Sequence, residues 1–212
     1  IMVVGSGAGV NAGADLLRFH ARTRKPIGIF GATTDSFNFT NFADGDAATD
    51  VQALRAALAD GTIDVVGTDH APHPSEHKEC EWAQAAMGMT GLETALSVVQ
   101  HTMIETGLMG WADFARVTST APAAIGRLED QGRPLDAGEP ANVTLVDPAA
   151  RWTVDPSKMA TMGRNSPFAG RELPGKVVAT FFKGHPTVLD GKLNTPYRYP
   201  AEVPGTAGAG SN

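Results

Sequence analysis

The chain has 212 residues, of which 42% are hydrophobic and 19% charged, and its net charge is −6. This composition predicts a globular protein with one large or two smaller domains, and the negative charge argues against nucleic acid or an anionic membrane as a partner. Cys80 is the only cysteine, which excludes an internal disulfide and favours a reducing compartment, the cytoplasm. The sequence has no apolar run long enough to span a bilayer.

The first part of the chain predicts one helix and then one short strand. Residues 2–4 are apolar and precede the glycine-rich run GSGAGVNAG, which is interpreted as an ordinary loop. Asn11 is a good N-cap, and the spacing behind it predicts a helix over 11–24. Ile27 to Phe30 fits a strand, and the residues after it are typical of a long loop.

A helix, a tight turn and a buried strand are predicted next. The run TDVQ is a capping-box pattern with Thr49 as the cap, and apolar residues follow at helical spacing. Gly61 is placed to end the helix in a left-handed conformation. The segment TIDVVGT at 62–68 then predicts a buried strand.

The same order continues after residue 90. TGLE, beginning at Thr90, is a second capping-box pattern, and the helix behind it is predicted to end at Gly107. Its buried stripe is predicted to contain Leu92, Leu96, Val99 and Met103. Two short helices are predicted within 111–126, the second with Pro122 in its first turn. Helices that alternate with buried strands indicate a parallel α/β arrangement.

The sequence becomes rich in turns and strands near Gly132. Extended pieces are predicted at about 142–146 and again at RWTVD, and KVVATFFKGHPTVLDGK predicts a hairpin that turns near Lys183 and Gly184. We therefore predict an α/β domain over 1–132 and a β-rich domain over 133–200. The small, polar residues 201–212 are predicted to form a disordered tail.

Chemistry is expected where the predicted strand at 62–68 ends. Asp69 and His70 follow it directly, and Pro72 and His73 come next. Functional groups collect at the carboxyl ends of parallel strands, and a carboxylate with imidazoles suits a divalent ion such as zinc. The alternative interpretation is a helix cap beside surface histidines. His77 lies among charged residues and is interpreted as solvated.

Two longer stretches resemble a known family. DGTIDVVGTDHAPHPSEHKECEWAQAAMGMTGLETAL, and later RNSPFAGRELPGKVVATFFKGHPTVLDGK, are similar to class I dihydroorotases, which are metal-dependent cyclic amidohydrolases. The resemblance runs from about residue 50 to residue 194. It implies a partial TIM-like (β/α) barrel, its last strands and helices, followed by the small β-rich domain of that family.

The resemblance also implies roles for single residues. Asp69 would be both a metal ligand and the catalytic acid/base, and His73 would contact the carboxylate of the substrate. Met87 and Gly88 would touch the pyrimidine ring through their backbone, and Asn41 would also bind substrate. The implied reaction is the reversible hydrolysis of dihydroorotate to N-carbamoyl-L-aspartate in pyrimidine biosynthesis, with one or two zinc ions as cofactor.

The sequence departs from this family in its first 48 residues. They lack the family's histidine-bearing strands, and no His-x-His pair occurs in the chain. One hypothesis is therefore that the chain is the C-terminal portion of a longer dihydroorotase. Its assembly into a homo-oligomer is left open. Others are a non-catalytic homologue that supports aspartate carbamoyltransferase, and a hydantoinase or allantoinase. Arg164, Asn165 and Arg171 are interpreted as residues that fix the loop between the β-rich unit and the barrel. The alternative is that they reach toward the active site.

Overall fold

The computed structural model describes residues 2–4, 28–30 and 47–194. The predicted helix at 11–24, the candidate ligand-binding residue Asn41 and the predicted tail at 201–212 lie outside the described residues. Every helix among the described residues is too short or too polar to cross a membrane.

Three short parallel strands form the first sheet. They are β1 (Met2–Val4), β2 (Gly28–Phe30) and β3 (Val65–Gly67), in that order across the sheet. Val3 pairs with Ile29, and Ile29 pairs with Val66. The strand predicted at 27–30 is therefore confirmed, and the apolar residues 2–4 form a strand as well. The strand predicted at 62–68 is also present, but it is only three residues long and half-buried, not buried. Since all three strands run in the same direction, their carboxyl ends lie at one edge of the sheet.

Helices surround and follow this sheet. In chain order they are α1 (Ala47–Ala59), α2 (Ser75–Lys78), a 3₁₀ turn (Trp82–Gln84), α3 (Ala95–Val99), which continues as a π-helix (Gln100–Ile104), α4 (Trp111–Ala115), which continues as a π-helix (Arg116–Thr120), and α5 (Ala121–Gly126). The two short helices predicted within 111–126 thus form one uninterrupted helical stretch, and Pro122 lies in the first turn of α5, as predicted.

Both capping-box predictions are wrong. α1 begins at Ala47, two residues before Thr49, so Thr49 lies inside the helix. α3 has Thr94 at its N-cap, and the carboxylate of Glu93 accepts hydrogen bonds from the N–H groups of Ala160 and Thr161 instead of reaching back along the chain. The predicted stop of α1 is confirmed, because Gly61 has a φ of +83°.

A four-stranded antiparallel sheet follows the helices. Its strands are β4 (Val143–Thr153), β5 (Glu172–Phe182), β6 (His185–Leu189) and β7 (Lys192–Leu193), each paired with the next. The predicted hairpin is confirmed, with Lys183 and Gly184 in the turn between β5 and β6 at positive φ. The two extended pieces predicted before it are one strand with irregular register.

Two clusters of buried side chains stabilise the fold. The first lies between α1, the residues before β3 and the helices, and contains Ala57, Leu58, Ile63, Val99, Met103, Met109 and Val117. Val99 and Met103 are thus buried as predicted, whereas Leu92 is 63% exposed. The second contains Val98, Val154, Met159, Phe168 and Leu173, and so joins α3 to the antiparallel sheet. Because this cluster crosses residue 132, the domain boundary placed there stays a prediction.

Polar contacts reinforce the same junction. The Ser97 hydroxyl donates to the carbonyl of Gly175 at 2.9 Å and accepts the Trp152 indole N–H at 3.0 Å. The amide of Gln100 donates to the carbonyl of Pro148 at 2.8 Å. These bonds satisfy buried groups that would otherwise destabilise the interface, so the sheet has a defined position against α3.

An ion pair at the edge of this junction makes stability depend on pH. Desolvation raises the pKa of Glu105, but hydrogen bonds from His101 and Arg151 outweigh it and leave the pKa of Glu105 below its usual value. A lowered folded-state pKa stabilises the protein above the unfolded-state pKa, and this contribution is lost as the pH falls through the folded value.

We expect Glu105→Gln to lower the free energy of unfolding at pH 7 by at most about 1 kcal/mol, because the pair is partly exposed and screened. The difference between the two proteins should shrink as the pH is lowered from neutral through the acidic range. Urea unfolding measured at a series of pH values checks this. A difference that grows on acidification would contradict it.

Candidate active site

The loop after β3 begins with an exposed carboxylate. Asp69 lies two residues beyond the end of β3, at the carboxyl edge of the parallel sheet, and its side chain is exposed. Its φ is +44°, a left-handed conformation that costs a residue with a side chain about 1–2 kcal/mol. The position and exposure of Asp69 are therefore compatible with the acid/base role expected of it.

His73, in the same loop, contacts the second predicted segment. Its Nε2 lies 2.7 Å from the carbonyl oxygen of Met87. A carbonyl only accepts, so Nε2 carries a proton and donates it. Gly88 lies against the same loop, since a Cβ at this position would be only 2.6 Å from the Cβ of Ala71 and 3.2 Å from Nε2 of His73. The structure thus brings together His73, Met87 and Gly88, three residues that the sequence resemblance had selected.

His70 has a different environment. Its Nδ1 accepts hydrogen bonds from the N–H groups of Gly91 at 3.1 Å and Leu92 at 3.2 Å. Nδ1 is therefore unprotonated, and Nε2 carries the ring proton 3.4 Å from the hydroxyl oxygen of Thr161. In this geometry His70 connects three segments of the chain and its Nδ1 is not available to a ligand. His77 is exposed in α2, as predicted.

Asn165 and Lys78 complete the site from outside the loop. The Asn165 side chain forms hydrogen bonds to three backbone groups in the two segments that contain His73 and Gly88. The ammonium group of Lys78 donates to the carbonyls of Ala86 at 2.7 Å and Gly88 at 3.1 Å. Lys78 carried no signal in the sequence, since a lysine beside a glutamate in a charged run is typical of a solvated surface.

The loop before β5 closes the arrangement. Arg164 donates through one guanidinium nitrogen to the carbonyls of Pro156, Met159 and Thr161. Glu93 accepts from the backbone of this loop at Ala160 and Thr161, at 2.9 and 3.0 Å. Arg164 therefore fixes this loop, as predicted, whereas the side chain of Asn165 reaches toward the candidate site.

The described residues do not form a complete metal-binding site. They contain no group of three or more His, Cys, Asp or Glu side chains placed to bind one ion. A zinc site needs at least three protein ligands, and Asp69 is one candidate. The side chains within the described ranges therefore do not fit a metal ion by themselves.

The fold and the site together define an α/β protein with an exposed carboxylate, Asp69, at the carboxyl edge of its parallel sheet, and parallel α/β enzymes place their chemistry at that edge. The profile of the amidohydrolase family matches residues 23–187. The chain belongs to the amidohydrolase family, whose members are generally metal-dependent.

Sequence relatives support the resemblance to dihydroorotases. A dihydroorotase from Streptomyces coelicolor is 63% identical over 144 residues, which cover 68% of this chain and 34% of that protein. Dihydroorotases from Leifsonia xyli subsp. xyli and Mycobacterium tuberculosis are 59% and 56% identical, over 68% and 69% of this chain and 33% and 34% of their own. The resemblance is thus confirmed, and the chain spans about a third of the length of these relatives.

Solved structures show the same fold. The L-hydantoinase (dihydropyrimidinase) from Arthrobacter aurescens has a TM-score of 0.73 at 24% identity, over 91% of this chain and 45% of that one. The dihydropyrimidinase from Brevibacillus agri NCHU1002 has a TM-score of 0.70 at 17% identity, over 87% of this chain and 49% of that one. These likenesses and the family together indicate a TIM-barrel-type fold.

Proposed function

We propose that this chain is the C-terminal portion of a dihydroorotase that reversibly hydrolyses dihydroorotate to N-carbamoyl-L-aspartate in pyrimidine biosynthesis. In this proposal α1 to α5 and the parallel sheet are the last part of a (β/α) barrel, over 1–132, and the antiparallel sheet is the accessory domain, over 133–200. The observation that carries the proposal is the 63% identity to a dihydroorotase over 144 residues. The exposed carboxylate at the edge of the parallel sheet agrees with it.

Asp69 is proposed as the general acid/base. In ring opening, a water oxygen bonds to the amide carbon while the carboxylate of Asp69 takes a proton from that water. The C–N bond then breaks, and Asp69 returns the proton to the leaving nitrogen. One water is consumed and Asp69 ends as it began, so the same group also serves the reverse reaction.

His73, Met87 and Gly88 are proposed to bind the substrate. Since Nε2 of His73 donates to Met87, its Nδ1 can donate to a carboxylate only when the ring is an imidazolium. That form pairs favourably with the anionic carboxylate of dihydroorotate. The carbonyls of Met87 and Gly88 already accept hydrogen bonds within the chain, which leaves their N–H groups to contact the ring. Asn41 is retained as a proposed fourth contact.

Zinc, as one or two ions, is proposed as the metal of this enzyme. Asp69 is the ligand that the described residues offer, and the remaining ligands would come from elsewhere. We further propose the cytoplasm as its compartment, and either a homo-oligomer or aspartate carbamoyltransferase as its protein partner.

Asp69→Asn in the intact protein is expected to lower turnover of dihydroorotate at least about 100-fold, because the amide cannot accept the proton from water. Folding should be unaffected, since Asn tolerates a left-handed φ at least as well as Asp. Asp190→Asn is the matched control, because Asp190 is also exposed and has a φ of +50°. The absorbance of dihydroorotate gives the rates in both directions. Equal turnover in both variants would refute the role of Asp69.

A second candidate is a non-catalytic homologue that supports aspartate carbamoyltransferase. That candidate predicts no bound zinc, no turnover and tight binding to the carbamoyltransferase.

A hydantoinase or allantoinase is the remaining alternative. Faster turnover of a hydantoin or of allantoin than of dihydroorotate would favour another cyclic amide as the substrate.

A further inference from the structure

Asn165 joins the two segments of the proposed substrate site, although it is remote from both in sequence. Its side-chain oxygen accepts the backbone N–H of His73 at 3.1 Å. Its side-chain nitrogen donates to the carbonyl of Ala71 at 3.0 Å and to the carbonyl of Gly88 at 3.2 Å. One side chain therefore connects the loop after β3 to the segment that contains Met87 and Gly88.

The hydrogen bonds require an amide. One acceptor and two donors are needed, and asparagine supplies both from one planar group. An ionised aspartate of the same shape supplies acceptors alone and would face two carbonyl oxygens. A hydroxyl supplies a single donor. The chemistry at position 165 thus specifies the residue type more narrowly than packing alone would.

The backbone around Asn165 is also placed closely against the loop. A Cβ at Gly163 would be 2.6 Å from the Cβ of Pro72 and 2.9 Å from the side-chain oxygen of Asn165. The backbone carbonyl of Asn165 accepts the N–H of Thr90 at 3.2 Å. The segment before β5 therefore contacts both sides of the site and limits how far they can separate.

We propose that Asn165 is a positioning residue, which holds the imidazole of His73 in place against Met87 and Gly88. The functional part of this inference rests on the proposed function, because those three residues are proposed to bind the carboxylate and the ring of the substrate. Without the amide, the loop after β3 can move away from Gly88, and the two halves of the site no longer meet a ligand at the same time.

Asn165→Ala in the intact protein tests the proposal. Asn194→Ala is its matched control, since the side chain of Asn194 donates one hydrogen bond, at 2.9 Å, to the carbonyl of Pro186 in the antiparallel sheet. We expect hydrogen exchange at the N–H groups of His73 and Ala71 to rise at least about 10-fold in Asn165→Ala. Exchange at Val177 in β5 should stay within about twofold of the unmodified protein.

The imidazole of His73 gives a second readout. Its ¹⁵N shifts should show a proton on Nε2 in the unmodified protein and in Asn194→Ala. In Asn165→Ala they should show a mixture of the two tautomers, with the proton on Nε2 in some molecules and on Nδ1 in others. Asn165→Asp preserves the shape of the side chain and is expected to behave like Asn165→Ala, because it lacks the two donors. This variant also decides the question if the alanine protein does not fold.

Ligand binding distinguishes a failure of the positioning role of Asn165 from a failure of the proposed dihydroorotase function. Calorimetry with N-carbamoyl-L-aspartate should show Kd raised at least about 10-fold in both Asn165 variants and unchanged in Asn194→Ala. Unchanged exchange at His73 and Ala71, or an equal rise at Val177, would overturn the positioning role. If the unmodified protein binds neither N-carbamoyl-L-aspartate nor dihydroorotate, the proposed function fails, while exchange and the His73 shifts still decide whether Asn165 orders the loop.

Discussion

Phe168→Ala is expected to lower the free energy of unfolding by about 3–5 kcal/mol, the usual cost of removing a buried phenyl ring. Phe168 is 1% exposed and lies in the cluster that joins α3 to the antiparallel sheet, with Val98, Val154 and Leu173 among its neighbours. The cavity would lie between the helices and the sheet, so both parts should lose stability in one transition. Urea unfolding followed by circular dichroism measures the loss.

Leu135→Ala is the control for this prediction. Leu135 is 79% exposed, so removing its side chain should change the free energy of unfolding by about 0.5 kcal/mol or less. A loss below about 1 kcal/mol for Phe168→Ala would mean that the sheet does not pack on α3 as described. Two separate transitions in the unmodified protein would instead show that the helices and the sheet unfold independently.

Gly88→Ala is expected to damage both stability and ligand binding. Gly88 has a φ of +118°, which strains any residue with a side chain, and the new Cβ would be 2.6 Å from the Cβ of Ala71 and 3.2 Å from Nε2 of His73. Strain and overpacking together should lower the free energy of unfolding by about 2–4 kcal/mol. Because the methyl group separates His73 from Met87, the affinity for N-carbamoyl-L-aspartate should also fall.

Gly61→Ala separates the effect of backbone strain from the effect of overpacking. Gly61 has a φ of +83°, but nothing lies within 4 Å of a Cβ at this position. Its substitution should therefore cost about 1 kcal/mol from backbone strain alone and leave ligand affinity unchanged. Thermal unfolding and calorimetry on both variants make the comparison. If Gly88→Ala lowers the free energy of unfolding no more than Gly61→Ala does, Gly88 does not lie in close contact with the loop after β3.

The proposed substrate site is assembled from distant positions in the chain. His73 follows β3, Gly88 precedes α3, and Asn165 precedes β5. Hydrogen bonds of the Asn165 side chain to His73 at 3.1 Å and to Gly88 at 3.2 Å join these segments within the chain itself. A site whose parts are already joined loses less entropy when a ligand binds, which agrees with the proposed role in binding a small anionic substrate.

Local patterns in the sequence predicted local structure well. The helix that ends before Gly61, the strand that follows it and the hairpin at Lys183 and Gly184 were all predicted from spacing and turn residues. Backbone conformation at such points depends on nearby residues, so short windows are informative. The resemblance to a family selected Asp69, His73, Met87, Gly88 and Asn41 as a set. The structure brings His73, Met87 and Gly88 together, and Asn41 lies outside the described residues.

The capping box at TGLE shows where local patterns fail. The pattern places Glu93 three residues after Thr90, which predicts a reciprocal cap. In the folded chain Glu93 instead accepts hydrogen bonds from the backbone at Ala160 and Thr161. Two N–H groups from a distant loop compete with the local partner, and no window around residue 90 contains them.

The sequence by itself determined the order of helices and strands, the polar loop at the end of β3 and the identity of the residues that could carry chemistry there. Only the tertiary structure decided which of them meet. The amide of Asn165 reaches His73 across 92 positions of the chain, and Nδ1 of His70 is used by the backbone of Gly91 and Leu92. Such contacts depend on how whole elements pack, because the hydrogen-bonding capacity of a side chain specifies a kind of partner and not its place in the chain.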